Sequence, residues 1–175
     1  MKMKVRWMIA MIVLLALAGC KQIPWQPYTG PDGSFSVQMP GTPEEQKQAL
    51  YNDLFGNFTA YIYAVDYDST TYMVVFTQYP ESISAISTPF ELLDNARDGA
   101  VANVQGTLVD EKVIRLGDYP GKEITIRLPA AGMLADVRMY VVDTRLYQVM
   151  VTSPEANFSQ KAADTFLDSF AIIEK

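Results

Sequence analysis

Paired runs of alternating apolar and polar residues, each pair joined by turn chemistry, constrain this chain more than any other feature. In residues 122–128, Ile124, Ile126 and Leu128 fall on one face and Glu123, Thr125 and Arg127 on the other, the period of a half-buried strand. Its partner is 107–116, across the turn sequence Gly117-Asp118-Tyr119-Pro120-Gly121. Residues 57–66 and 70–79 read as a second pair around Asp66-Tyr67-Asp68-Ser69-Thr70, and 134–142 with 145–152 as a third across Asp143-Thr144. A shorter strand carries Phe35, Val37 and Met39 and stops at Pro40-Gly41. Consecutive hairpins cannot build a parallel sheet, which needs long crossovers, so the sheet is expected to be antiparallel with about six to seven strands.

Two segments change to the helical period. Thr88-Pro89-Phe90-Glu91 combines an N-cap residue, proline at the first helical position and a glutamate three residues after the cap. That helix is predicted to run to about Val104 with Phe90, Leu93, Ala96 and Ala100 inward. A second covers about 158–171, where Phe158, Ala162, Phe166 and Phe170 recur every four residues and Asn157 with Gln160 offers a capping box. One-sided helices must lie on a sheet. The expected class is therefore α+β, an antiparallel sheet sandwiched by α-helices.

The N-terminus carries a different signal. Lys2, Lys4 and Arg6 precede an unbroken apolar run from Trp7 to Ala18, too short for a comfortable membrane span of ~20 residues. Leu17-Ala18-Gly19-Cys20 then looks like a bacterial lipobox. Residues 1–19 are expected to be a cleaved signal peptide. Cys20, the one cysteine in the chain, becomes the lipidated N-terminus and the attachment to a membrane. Residues 20–33, rich in Pro and Gly, are read as the lipidated cysteine and a tether, and 34–175 as one domain. The expected location is the membrane surface facing the periplasm or cell exterior. Lys21, in place of an aspartate after the cysteine, favours the outer membrane in a Gram-negative cell.

Charge and composition narrow the function. Cleavage removes three basic residues, leaving 11 against 20 acidic, a net charge of about −9 that disfavours nucleic acid and anionic headgroups. The chain has no histidine, which removes Ser-His-Asp and Cys-His nucleophile pairs and the usual ligand of zinc and non-haem iron. No cofactor or metal is expected, and no enzymatic activity. Asp94 with Asp98, and Asp110-Glu111, each offer half of a carboxylate pair for hydrolysing an envelope polymer, but solvated surface explains them better. Asp66 and Asp68 flank a turn yet fall short of the 6–8 oxygens calcium takes. The phosphate-loop look of Gly117–Lys122 fails on spacing, on Glu123 where Ser or Thr is needed, and on the strand that follows.

FSVQMPGTP (35–43), DYPGKEI (118–124), RLYQVMV (145–151, within the run from Arg138) and AADTFLDSF (162–170) resemble the PsbP-like family. Its fold is shared by the photosystem II extrinsic protein PsbP and the Ran-binding protein Mog. The resemblance spans about residues 34–173 and implies an antiparallel sheet between helices and a non-enzymatic accessory role. That role is the binding of envelope proteins, or of a photosystem in a cyanobacterial source. Photosynthetic members bind metal through histidine, which this chain lacks. For partner contact the sequence offers Tyr61, Tyr63 and Tyr67 on one face of a strand, opposite Phe58, Ala60, Ile62 and Ala64. Such a face either packs beneath a covering layer or forms an exposed aromatic patch.

Replacing the acylated thiol tests the anchor directly. Cys20→Ala is expected to lose the acyl mass and to move the protein from the membrane to the soluble fraction. Unchanged membrane retention in fractionated cells would rule out lipid attachment at this residue.

Overall fold

The three expected hairpins and the strand at 35–39 form, and with further strands they assemble into two sheets. The computed structural model describes residues 23–52, 56–84 and 87–173. The expected signal peptide, with Leu17, Ala18, Gly19 and Cys20, lies outside the described residues. In chain order the strands are β1 (Gln26–Thr29), β2 (Phe35–Met39), β3 (Glu44–Asn52), β4 (Gly56–Tyr67) and β5 (Thr70–Gln78), followed by β6 (Thr107–Leu116), β7 (Tyr119–Leu128), β8 (Met133–Val142), β9 (Arg145–Pro154) and β10 (Ala171–Ile172). The helices are α1 (Glu81–Ser84), a single turn, then α2 (Pro89–Asn103) and α3 (Gln160–Asp168). The larger sheet has seven strands in the order β3-β4-β5-β9-β8-β7-β6, every pair antiparallel. The smaller has the order β1-β2-β10.

The seven-stranded sheet buries both faces. On one lie β2 and α3, closing a core of Phe35, Tyr63, Tyr72, Phe76, Tyr147, Phe166 and Phe170. On the other, α2 lies on β7 and β8 over Leu93, Ile124, Ile126, Val137, Met139 and Leu146. The aromatic face is knit by ring contacts: Phe166 meets Tyr72 edge-on at 5.3 Å, and Tyr140 stacks on Phe170 at 5.9 Å.

Several local expectations hold and others shift. The capping box of α2 is present: Thr88 Oγ1 accepts from Glu91 N at 3.2 Å, and Thr88 N donates to Glu91 Oε2 at 2.7 Å. The buried stripe of α2 is rotated, however, with Leu92 and Leu93 buried and Phe90 44% exposed. Leu92 lies angularly closer than Phe90 to the stripe set by Leu93, Ala96 and Ala100, so the sheet covers Leu92 instead. The last helix is shorter than expected. Asn157 ends a 3₁₀ turn (Glu155–Asn157), Phe158 is extended, and the cap is Ser159, whose Oγ accepts from Ala162 N at 3.4 Å.

The tether expected over residues 20–33 is also shorter, because β1 pairs with β2 from Gln26↔Met39 to Thr29↔Ser36. Trp25 sits edge-on to Tyr72 at 5.3 Å, and Tyr28 packs between Phe35 and Tyr63 at 6.3 and 5.9 Å. Pro27 is tolerated because Gly30 N donates to Phe35 O, a register in which Tyr28 and Gln26 face β2 and position 27 faces outward from this edge strand, so its missing N–H costs no ladder bond. Strand β3 has no sequence expectation: EEQKQALYN does not alternate, and it is exposed along most of its length at the sheet edge.

Phe166 is fully buried and closes α3 onto the sheet. Phe166→Ala is expected to destabilise the domain by about 3–5 kcal/mol in urea unfolding. Thr88→Ala, which removes the α2 cap, is expected to cost about 1 kcal/mol in the same measurement.

Candidate functional site

The tyrosines of β4 end largely inside the molecule. Tyr63 is 5% exposed, in contact with Tyr28 and Phe35, and is a core residue rather than part of an exposed patch. Tyr61 lies flat on Phe76, its cross-strand neighbour, at 4.7 Å, with the Lys47 ammonium 5.2 Å from its ring. Tyr67 is half-buried against the same core. Rings from β1 and β2 thus cover Tyr63, while Tyr61 and Tyr67 keep part of their surface exposed.

The carboxylates singled out in the sequence are drawn into ion pairs or turns. Lys122, 8% exposed at its side chain, donates to both Asp94 and Glu111. Arg97 Nη1 reaches Asp94 at 2.9 Å and Glu111 at 3.0 Å, and its Nε reaches Asp98 at 2.8 Å. Hydrogen bonds from Lys122 hold Asp94 and Glu111 below their ordinary pKa values. Burial works to lower the Lys122 pKa, but the two carboxylates outweigh it and raise it. These groups are fixed charges, unsuited to proton transfer near neutral pH. Asp110 is exposed on β6. Asp66 Oδ1 accepts from Thr71 Oγ1 at 2.6 Å, while Asp68 and Ser69 make the β4–β5 turn at φ 49° and 64°. Among the described residues no group of three or more His, Cys, Asp or Glu is placed to hold a metal ion.

A cleft of about 530 Å³ opens where the β8–β9 turn meets the loop after β1. Asp143, at φ 52°, turns the chain so that Arg145 begins β9 and Tyr147 follows on the same face. The opposite wall is the loop from Gly30 to Ser34. A Cβ on Gly30 would stand 2.3 Å from the Phe35 ring, so this close approach requires glycine. Asp32 Oδ1 accepts from Ser34 N at 3.1 Å and Ser34 Oγ at 2.7 Å, leaving Oδ2 for Arg145 Nη1 at 2.6 Å. Arg145 Nε donates to Gln78 Oε1 at 2.7 Å, and its guanidinium lies 5.0 Å over the Phe76 ring. Tyr119, Ile172 and the 37%-exposed Ile173 complete the walls.

Burial works to raise the Asp32 pKa, but hydrogen bonds from Ser34 and Arg145 outweigh it and hold the carboxylate low. A second cleft of about 350 Å³, between the β6–β7 turn and β10, shares Tyr119 and Ile172. The arrangement presents a guanidinium paired with Asp32, a second carboxylate at Asp143, hydroxyls and exposed apolar carbons. No sequence signal marks Arg145, Asp32 or Gln78 as partners, since Arg145 and Asp32 stand 113 residues apart.

The architecture defines a PsbP-like α+β fold. Among solved structures, the solution structure of cyanobacterial PsbP (CyanoP) from Synechocystis is similar over 90% of this chain and 98% of its own, at 9% identity and a TM-score of 0.56. A Bacteroides thetaiotaomicron protein matches over 86% of this chain and 49% of its own, at 9% identity and a TM-score of 0.42. A Pseudomonas aeruginosa protein of unknown function matches over 81% and 94%, at 12% identity and 0.39. No family model matches the sequence, nor does any curated protein.

The Lys122 cluster makes stability depend on acid. Asp94 and Glu111 have depressed pKa values, so their contribution is present above the ordinary values of 3.8 and 4.5 and is lost as pH falls through the depressed ones. Lys122→Met is expected to flatten the fall in melting temperature across that acid range. An unchanged slope would show that the cluster contributes nothing to acid unfolding.

Proposed function

We propose that this protein is a lipid-anchored accessory module of the cell envelope, held to a membrane through Cys20, that binds a protein partner and catalyses no reaction. The observation that carries the binding half is the Arg145 cleft: a guanidinium already fixed by Asp32, Gln78 and the Phe76 ring, beside the exposed Ile173. A prepaid geometry of this kind lowers the ordering cost of association. An arginine seated among aromatic and aliphatic side chains is typical of interface centres. The anchor half is supported by the sequence, where Leu17-Ala18-Gly19-Cys20 follows a basic start and a short apolar run. The non-catalytic half is supported by the absence of histidine from the chain and by the pairing of Asp94, Glu111 and Asp32 with cations.

In-cell crosslinking tests the reading. A photo-crosslinking amino acid at position 144, on the cleft rim, is expected to capture a discrete envelope protein or a photosystem subunit, whose identity separates the two versions of the role. Ile173→Asp is expected to abolish that capture with the melting temperature unchanged, because Ile173 is exposed. Capture that persists in the variant, or crosslinks to this chain alone, would remove the cleft as the partner site.

A further inference from the structure

The path of the chain out of Cys20 fixes which end of the domain can lie near the bilayer. Five residue steps lead from Cys20 to Trp25, a reach of at most about 18 Å when fully extended. Trp25 is docked edge-on to Tyr72, and its N–H donates to the Ile23 carbonyl at 2.9 Å. Ile23 lines a small cleft with Asp68 and Ser69 of the β4–β5 turn and with Asn157 and Ser159 at the start of α3. The chain therefore enters the fold at the end of the sheet where β5 begins and β9 finishes.

The Arg145 cleft lies at the other end. In the β5–β9 ladder Thr71 pairs with Thr152, and Gln78 pairs with Arg145. Seven steps of ~3.4 Å put about 24 Å of strand between these levels. β1 runs in the same direction independently: Trp25 precedes it at the entry end, and it leads into the loop carrying Asp32, which holds Arg145 at 2.6 Å. The β6–β7 turn at Gly117-Asp118 flanks the distal clefts, because Tyr119 lines both.

The entry end does not resemble a bilayer-binding surface. Asp66 and Asp68 are exposed there, and Arg127 is paired with Glu155 at 3.0 Å. This is far from the cluster of basic side chains that adheres to anionic lipid.

Resting on the lipid-anchor reading, we infer that the short tether holds the end formed by Ile23, the Asp68-Ser69 turn and the 3₁₀ turn Glu155–Asn157 nearest the membrane, through the lipid and not through adhesion of that surface. The Arg145 cleft then opens away from the bilayer. The partner it takes is a water-exposed protein segment that projects from the membrane or lies off it, not one embedded in lipid.

Distance to the headgroups tests this in the full lipidated protein. Ala156→Cys and Asp118→Cys each place one label at an exposed residue, the first at the entry end and the second beside the clefts. Intact mass is read first: absence of acyl mass on the mature chain defeats the anchor reading, and the orientation with it. With acylation verified and both variants melting like the parent, the proteins are reconstituted in phosphatidylethanolamine and phosphatidylglycerol vesicles carrying a headgroup energy acceptor. Stronger transfer from position 156 than from 118 is expected. Equal or reversed transfer on an acylated protein would overturn the orientation alone.

Discussion

The pairing of β5 with β9 is the seam on which the rest of the structure depends. In the larger sheet the other neighbouring strands are consecutive in sequence: β3, β4 and β5 on one side, β6 to β9 on the other. Each group is a meander that local turns can build, but neither alone has a closed core. The seam places Tyr72 beside Val151, Val74 beside Val149 and Phe76 beside Tyr147. These side chains are buried, and β2 and α3 pack over them. Closing the loop between β5 and β9 costs entropy that only this apolar burial offsets.

The two faces solve the burial problem differently. The α2 face is largely aliphatic, and one helix with Leu92 and Leu93 covers it. The opposite face carries Tyr63, Tyr72, Phe76, Tyr140 and Tyr147, a wider aromatic layer that takes both the small sheet and α3. That demand for cover explains why residues 26–29 form a strand. Trp25 and Tyr28 bring rings to Tyr72 and Tyr63, and their burial offsets the ordering of a short proline-containing segment. The cleft is a consequence of the same packing. Where the small sheet ends, Asp32 meets Arg145 across the sheet boundary, and the guanidinium lies over the face of the buried Phe76 ring.

Charge is deployed around this core in closed sets. Lys122, Arg97, Asp94 and Glu111 neutralise one another on the α2 face. On the other face Arg138 joins Glu123 and Asp168, both at 2.6 Å, and Lys112 adds to Glu123. Pairing of this kind lets Lys122 and Arg138 be largely buried in a chain rich in acid. It also ties those carboxylates into ion pairs.

Period-two alternation with turn residues determined the hairpins, and Thr88-Pro89-Phe90-Glu91 determined where α2 starts, because both signals act between residues close in the chain. The α+β class was legible for the same reason, since hairpins and one-sided helices admit few arrangements; the PsbP-like likeness lay instead in segments such as FSVQMPGTP and AADTFLDSF. The resemblance of Leu17-Ala18-Gly19-Cys20 to a lipobox is likewise read from sequence alone. Only the tertiary structure decided which layer covers Tyr61 and Tyr63, that β1 and β3 are strands, and that Ser159 rather than Asn157 caps α3. It alone joined Asp32 to Arg145 and Lys122 to Asp94 and Glu111. Such pairings unite residues far apart in the chain, and their energy depends on burial and distance, which no local pattern encodes.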